Sequence, residues 1–568
     1  MKYLLIPLIL VFSLVAQKKP NIIFIMVDDL GKEWVSTYGA DDIVTPNLDA
    51  MAEKGLKFHN AYSMPKCTPS RATVLTGTYP FTNGWVNHWD VPRWSWPADQ
   101  GGRGGGAHFD WKYNMTFARV MKSAGYVTAA AGKWQLNDFR THPDAMVKHG
   151  FDEYAMWTGA EMGNPESGKR YWDAYIHSNG VSKVYTGEYG PDLFLKFIID
   201  FMGRNVDKPQ MIYYPMALTH APLTNTPHTL TTAKTTIEKH IGMVEYTDYI
   251  VGQIINAADS LGIDSNTIII FTTDNGSIKN VTGSLNGRLI KGGKSTLGEN
   301  GVCEPFIAYA PGLVPVGETD LLTDFSDMLP TFAELAGVNM DTLYEYYPLD
   351  GHSIAKTLLG QTPDFEREWI MAMGGGIAKL TDIGVTPAVK FTSRIIRDKQ
   401  FKVVTNRTNI EYIYDLQADP AEENNLISST DPEILAALVK FNSILNSFPQ
   451  TDARPVYDLA TFEVWPDMVV DLPRGNVKNI EHSVHKVQDI ALSFQNGALH
   501  FFLPKAARLA FQMYDMSGKK ILNNPAINFL GGFNRINLAD LDIKNGIYVT
   551  QLKSENKTYQ KQIILMRR

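Results

Sequence analysis

At 568 residues the chain is long enough for about two to four domains around a large core. Its 44% apolar content is ordinary for a globular protein, and 53 basic against 60 acidic residues leave a formal net charge of −7. No overall basic field therefore recommends nucleic acid as a partner. The two cysteines, Cys67 and Cys303, exclude a disulfide framework, although one bridge between them stays open.

Residues 1–16 predict a signal peptide: Lys2, then an apolar run from Leu4 to Ala16 interrupted by Pro7 and Ser13. The run is too short to span a bilayer comfortably and no second candidate follows, so no transmembrane anchor is expected. From Asn21, apolar runs alternate with amphipathic segments, which predicts an α/β domain with a mostly parallel sheet over residues 17–365. Four runs end in polar groups. Asn21–Val27 leads into Asp28-Asp29, Tyr126–Ala131 into Gly132-Lys133-Trp134, Met211–Ala217 into Thr219-His220-Ala221, and Thr267–Thr272 into Asp274-Asn275-Gly276. In open α/β sheets ligands bind beyond the carboxyl ends of the strands, so parallel pairing would gather these groups at one edge. Taken singly, Asp274-Asn275-Gly276 reads equally as a turn and Asp28 as a helix cap.

Between the first two runs lies Cys67-Thr-Pro69-Ser70-Arg71. Pro69 suits a first helical turn, which places Cys67 at or just before a helix N-terminus, where free N–H groups favour an anion. An arginine one turn later completes a pocket for a reactive centre facing a negative substrate; the plain alternative is a small buried apolar cysteine. A loop from Phe81 to Trp111 follows, with Trp85, Trp89, Trp94, Trp96, Phe109 and Trp111 around a glycine-rich run. Such rings suit stacking on sugar faces, with Asn87, His88, Arg93 and Arg103 as polar contacts, or equally a loop packed by its own side chains.

Composition shifts near residue 365. Strands are predicted at Phe401–Val404 and Tyr412–Leu416, and a helix over Asp431–Leu445 with Asp431 as N-cap, Pro432 in first position and Leu435, Leu438 and Leu445 on one face. Residues 366–447 thus form a smaller α+β subdomain, 448–487 a linker, and 488–568 an all-β region. In that region Leu509, Phe511 and Met513 alternate, and Asn545-Gly546 precedes a strand that pairs back across Ser554–Asn556.

Asp28, Asp29, Asp274 and Asn275 offer oxygen only, which favours Ca2+ or Mg2+ over zinc, and so many protein ligands favour Ca2+. His220 is the general acid for a leaving alcohol, since imidazole titrates near neutrality and a sugar alkoxide leaves poorly.

The Cys-x-Pro-Ser-Arg stretch, with the other segments in order, resembles the signature of type I sulfatases over roughly residues 20 to 450. The resemblance implies an alkaline-phosphatase-like fold, a Cys67 oxidised to formylglycine by a maturation enzyme, and Ca2+ at the four oxygen ligands. One hydroxyl of the aldehyde hydrate would attack sulfur and the second would expel sulfate. Arg71 would support the formylglycine, Lys133 would contact it and the sulfate, and Lys294 would hold the sulfate. Two departures stand out: Gln135 replaces a usual histidine and cannot accept a proton, and Asn300–Cys303 replaces Gly-Gly-x-Arg. The C-terminal region, with Met516-Ser-Gly-Lys-Lys520 and Asn545-Gly-Ile-Tyr548, resembles a type IX secretion sorting domain, a partner for that machinery. The expected function is an exported sulfatase acting on a sulfated polysaccharide or oligosaccharide. The alternatives are a formylglycine-dependent phosphodiesterase or phosphonate monoester hydrolase, and an inactive surface glycan-binding protein.

Overall fold

The computed structural model describes residues 18–87, 105–107, 109–139, 142–159, 165–347, 349–374, 378–381, 384–387, 393–406, 408–449 and 457–459, and strand segments between 492 and 565. The signal-peptide stretch, His88, Trp89, Arg93, Trp94, Trp96 and Arg103, and most of the expected linker lie outside the described residues.

The chain divides into two compact units, residues 1–472 and 473–568. The first is built on a ten-stranded sheet. In chain order its strands are β1 (Asn21–Val27), β2 (Leu56–Tyr62), β3 (Val127–Lys133), β4 (Glu153–Trp157), β5 (Tyr175–Ser178), β6 (Val181–Val184), β7 (Gln210–Pro215), β8 (Thr267–Thr273), β9 (Cys303–Tyr309) and β10 (Gly317–Asp324). Their spatial order is β10-β2-β9-β8-β1-β7-β3-β4-β5-β6. The four apolar runs are β1, β3, β7 and β8. They are adjacent, and β8-β1, β1-β7 and β7-β3 all pair in parallel. Strands β9, β5 and β6 pair antiparallel to their neighbours toward the flanks.

Alternation along β1 shows why this centre is so apolar. Ile22, Phe24 and Met26 face one core, with Phe117, Phe332 and Leu329; Ile23, Ile25 and Val27 face the other, with Ile250, Ile254 and Phe194. A strand covered by helices on both sides reads as a continuous hydrophobic run. The second face is covered by the helices Gly190–Arg204 and Thr236–Ser260.

Behind the sheet's flank, strands Ile370–Met373, Arg394–Arg397, Phe401–Thr405 and Ile410–Asp415 make a four-stranded antiparallel sheet against the helix Pro432–Ser447. Asp431 caps that helix by accepting from Glu433 N at 2.8 Å. Its buried face is Ile434, Ala437, Phe441 and Leu445, whereas Leu435 is 47% exposed, so the expected leucine face is corrected to one set by Phe441. Within the stretch expected as linker, Tyr457–Leu459 pairs antiparallel with Gly105–Ala107. Trp85 and Phe109 are fully buried in the first core, meeting edge to face at 5.8 Å, and Trp111 is buried against His142 and His149. These three rings are buried, not sugar platforms.

The second unit holds a four-stranded antiparallel sheet of Lys520–Phe529, Ala507–Asp515, Gly546–Lys553 and Thr558–Leu565, and a three-stranded one. Leu509, Phe511 and Met513 are buried on one face, as their alternation predicts. Among the described residues no helix is long and apolar enough to cross a membrane.

Candidate active site

The carboxyl ends of β1, β3, β7 and β8 open onto one edge, and their backbones are laced together there. Asp274 N donates to Val27 O at 2.8 Å, Asp28 N to Leu218 O at 2.7 Å, and Thr219 N to Asp28 O at 2.7 Å. Three non-glycine residues at this edge sit in the left-handed region: Asp29 (φ 65°), Gln135 (φ 64°) and Ser295 (φ 68°). Such conformations cost on the order of 1–3 kcal/mol each and persist where the surroundings impose them.

The helix Cys67–Thr76, which we call α1, starts under the same edge with Lys66 as N-cap, and all its residues are buried. Ser70 Oγ donates to Asp274 O at 2.5 Å, which fixes α1 against the end of β8. Arg71 donates from Nη1 to Lys133 O and from Nη2 to Asp274 Oδ2, both at 2.7 Å. The Lys133 ammonium contacts Asp28 Oδ2 at 2.5 Å, and Lys294 Nζ lies 2.6 Å from Asp29 Oδ1 and 2.7 Å from Oδ2. Asn275 Nδ2 donates to Asp29 Oδ1 at 2.8 Å. Cys67 Sγ and one oxygen each of Asp28 and Asp274 lie within 4.8 Å of one another, as do oxygens of Asp28 and Asp29 and a ring nitrogen of His220. The structure thus brings Asp28, Asp29, Cys67, Arg71, Lys133, His220, Asp274, Asn275 and Lys294 to one edge. Gln135 lies two residues beyond Lys133, its Oε1 buried without a hydrogen-bond partner. Asn87, 2% exposed, is buried in the segment after α1. Both cysteines are free thiols; Cys303 accepts from Lys32 Nζ at 3.0 Å, and burial pushes its thiol up to about 12.

Three carboxylates at one buried point need positive charge. Burial and the Asp28 charge push Asp274 well above the usual carboxylate range, the Arg71 guanidinium notwithstanding. Burial also opposes ionisation of Asp28, yet Lys133, His220 and Arg71 outweigh it and hold that carboxyl well below its ordinary value. Asp28 Oδ1 and Asn275 Oδ1 are buried with no hydrogen-bond partner. Orphaned buried oxygens are rare in folded proteins. Two of them beside two further carboxylates, with no soft donor except the thiol, fit a hard divalent cation.

His220 follows β7. Its Nε2 faces Asp29 Oδ2 at 3.7 Å, and burial followed by the Lys133 charge pushes the ring down to about 3. Behind it stands Arg170, which the sequence reading missed. Arg170 Nη2 lies 2.9 Å from His220 Nδ1 and also donates to Ala221 O. The neighbouring Tyr171 hydroxyl contacts Ala217 O at 2.7 Å and His220 O at 2.6 Å. Neither residue follows an apolar run, so no strand-end signal marks them.

The large central sheet, with its site at the carboxyl edge, defines an alkaline-phosphatase-like α/β fold. A family model described as Sulfatase matches residues 20–338, more than half the chain, and the chain belongs to that family. A second model, Secretion system C-terminal sorting domain, matches residues 495–566. The chain is 33% identical over 344 residues to an N-acetylgalactosamine-6-sulfatase of Canis lupus familiaris, a match covering 57% of this chain and 63% of that protein, under two thirds of its length. An N-acetylgalactosamine-6-O-sulfatase of Bacteroides thetaiotaomicron is 28% identical over 502 residues, covering 74% and 92%. Among solved structures, the one titled Ps i-CgsB superposes with a TM-score of 0.59 at 25% identity, covering 76% of this chain and 93% of that one.

Proposed function

We propose that this protein hydrolyses sulfate esters of a sulfated polysaccharide or oligosaccharide outside the cell, reached through the leader at residues 1–16 and the C-terminal sorting domain. The observation that carries the reading is the placement of Cys67 Sγ within 4.8 Å of the Asp28 and Asp274 carboxylates, at the N-terminus of α1. Oxidised to formylglycine by a maturation enzyme, residue 67 would supply a hydrated aldehyde as nucleophile toward sulfur. Ca2+ held by Asp28, Asp29, Asp274 and Asn275 would supply Lewis-acid polarisation of a sulfate oxygen.

The chain's own residues do the rest. Arg71 holds the Asp274 carboxylate and the end of β3 in one place, so that the nucleophile's surroundings do not reorganise. Lys133 and Lys294 offer their ammoniums to the ester anion, each steadied by an aspartate. His220 offers its Nε2 proton to the leaving sugar oxygen, the group least able to depart unaided. Gln135 binds through its carboxamide and takes no proton. Asn87, His88, Trp89, Arg93 and Arg103 are proposed to meet the sugar. The N-acetylgalactosamine-6-sulfatase relatives support a sulfated amino sugar as the first substrate to try.

The test combines mass spectrometry of the Cys67 peptide from natively secreted protein with an assay panel of sulfated glycans, aryl sulfates, phosphodiesters and phosphonate monoesters. Formylglycine with sulfate release from glycans is expected. Phosphodiester or phosphonate cleavage outrunning sulfate release would replace this reading with its nearest rival, and glycan binding without turnover by formylglycine-bearing protein would end it.

A further inference from the structure

Three lysines converge at the open side of the site, and only one of them is neutralised. The backbone brings them there. Ser295 N donates to Pro65 O at 2.8 Å, which ties the residue after Lys294 to the residue before Lys66. Lys294 N donates in turn to Ser277 O at 2.9 Å, two residues short of Lys279. The Ile278 carbonyl closes the same seam, for a methyl group on Gly292 would sit 1.9 Å from its oxygen. Lys294 is paired with Asp29 at 2.6 Å. Among the described residues, the ammoniums of Lys66 and Lys279 have no ion pair and no hydrogen bond.

Lys66 is half-buried and Lys279 exposed. Burial, aided by the Lys294 and Lys279 charges and opposed by the Cys67 thiol, pushes the Lys66 ammonium below its ordinary value. A lysine kept for solubility stands in water, apart from its like. Here two unpaired ammoniums crowd a third next to residue 67, in a chain whose formal net charge is −7. A local excess of positive charge in an acidic protein is complementary to an anion. The ester sulfate engages Lys133 and Lys294 and leaves Lys66 and Lys279 over.

We propose that Lys66 and Lys279 form an accessory anion subsite beside the point of cleavage, which takes a second sulfate or a carboxylate of the glycan whose sulfate ester is cut. The proposal rests on the reading of the protein as a sulfatase of sulfated glycans. It narrows that substrate to a chain with two anionic groups near one another, and it leaves bond breaking to the residues already placed there.

Binding tests the subsite without turnover. Sulfated dextran oligosaccharides and oligogalacturonate are titrated by calorimetry into Cys67→Ala protein, which leaves the esters intact, alone and with Lys66→Met, Lys66→Arg, Lys279→Met or Lys208→Met added. Lys208 is exposed and lies ahead of β7, at the strand end away from the site. Lys66→Met is expected to weaken binding of the sulfated dextran about tenfold, and Lys279→Met about threefold. Lys66→Arg and Lys208→Met should bind as their parent does. A lysine-dependent loss with the sulfated dextran alone assigns the subsite to sulfate, and one with oligogalacturonate assigns it to carboxylate. Equal weakening in Lys66→Met and Lys208→Met, no weakening in Lys66→Met, or a parent that binds neither probe overturns the proposal. In matured protein, Lys66→Met should leave the KM for 4-nitrophenyl sulfate, which carries no second anion, within about twofold of wild type; a larger change would give Lys66 a part in the site itself and overturn the accessory role. Lysine-dependent binding by a matured wild type that releases sulfate from no ester would overturn the sulfatase reading and leave the subsite standing.

Discussion

The two halves of the site are built to different rules. On the acidic side Asp28, Asp29, Asp274 and Asn275 are fully buried, and Arg71 and Lys133 are only 1% exposed. On the open side the Lys294 and His220 side chains keep 18% and 26% of their exposure. A buried charge cluster has one arrangement, because each unpaired member costs several kcal/mol. A half-open rim tolerates change, because water covers what a substitution uncovers. The acidic half therefore fixes the geometry of the reaction, and the rim is where a substrate's own charge is met.

Substitutions on each side give the contrast a scale. Cys67→Ala should abolish sulfate release, since no other described residue at this edge supplies a comparable nucleophile, and its melting temperature should stay near wild type; residual turnover would remove Cys67 from the reaction. Lys294→Ala should cost about 10²–10³ in kcat with stability unchanged. Lys133→Ala should lose as much activity and also some stability, because it removes the ammonium closest to the buried Asp28 carboxylate and leaves Arg71, at 3.6 Å, as its nearest cation. Equal melting temperatures for the two lysine variants would erase the difference between the halves. Chelation with EGTA should lower the melting temperature of the wild type, with recovery on adding back Ca2+, by the usual linkage of ligand binding to folding. No shift with metal removal would argue against a bound ion at the acidic side.

A smaller effect lies just beneath that side. Glu33 is 2% exposed, accepts from Ser277, and is pushed by burial from 4.5 to about 7. Because the folded state keeps this proton while the unfolded chain releases it, stability falls as pH rises from 4.5 to about 7 and stays low above. Glu33→Gln should remove the decline, leaving the variant as stable as wild type at pH 4 and more stable at pH 8, by up to about 3 kcal/mol. Identical pH–melting curves would show that Glu33 is not held protonated.

The strand-end groups of both halves were legible. Strands covered on both faces read as unbroken apolar runs, so β1, β3, β7 and β8 and the polar groups beyond them could be found from pattern alone. The Asp431 cap and the alternation of Leu509, Phe511 and Met513 were equally local signals. Long-range contacts were not. Arg170 follows Ser167-Gly168-Lys169, a stretch with no period, and nothing in it announces a histidine fifty residues on. Trp85, Phe109 and Trp111 belong to a glycine-rich stretch whose composition suggests exposure, yet all three rings are buried, Trp85 and Phe109 within the first core. The leucine face of the Pro432–Ser447 helix failed for a related reason: hydropathy gives a stripe, but the sheet beside it selects Phe441.

The carbonyl of Asn300 has a place in this geometry out of proportion to its size. A methyl group on Gly276 would sit 1.9 Å from that oxygen, and one on Gly293 would sit 2.2 Å from it. One backbone atom is thus wedged between the loop bearing Asn275 and the loop bearing Lys294, and sets their separation like a feeler gauge. Any drift in the stretch from Asn300 to Cys303 would move the two loops together, so that altering the grip on the anion through this stretch would also disturb the acidic floor.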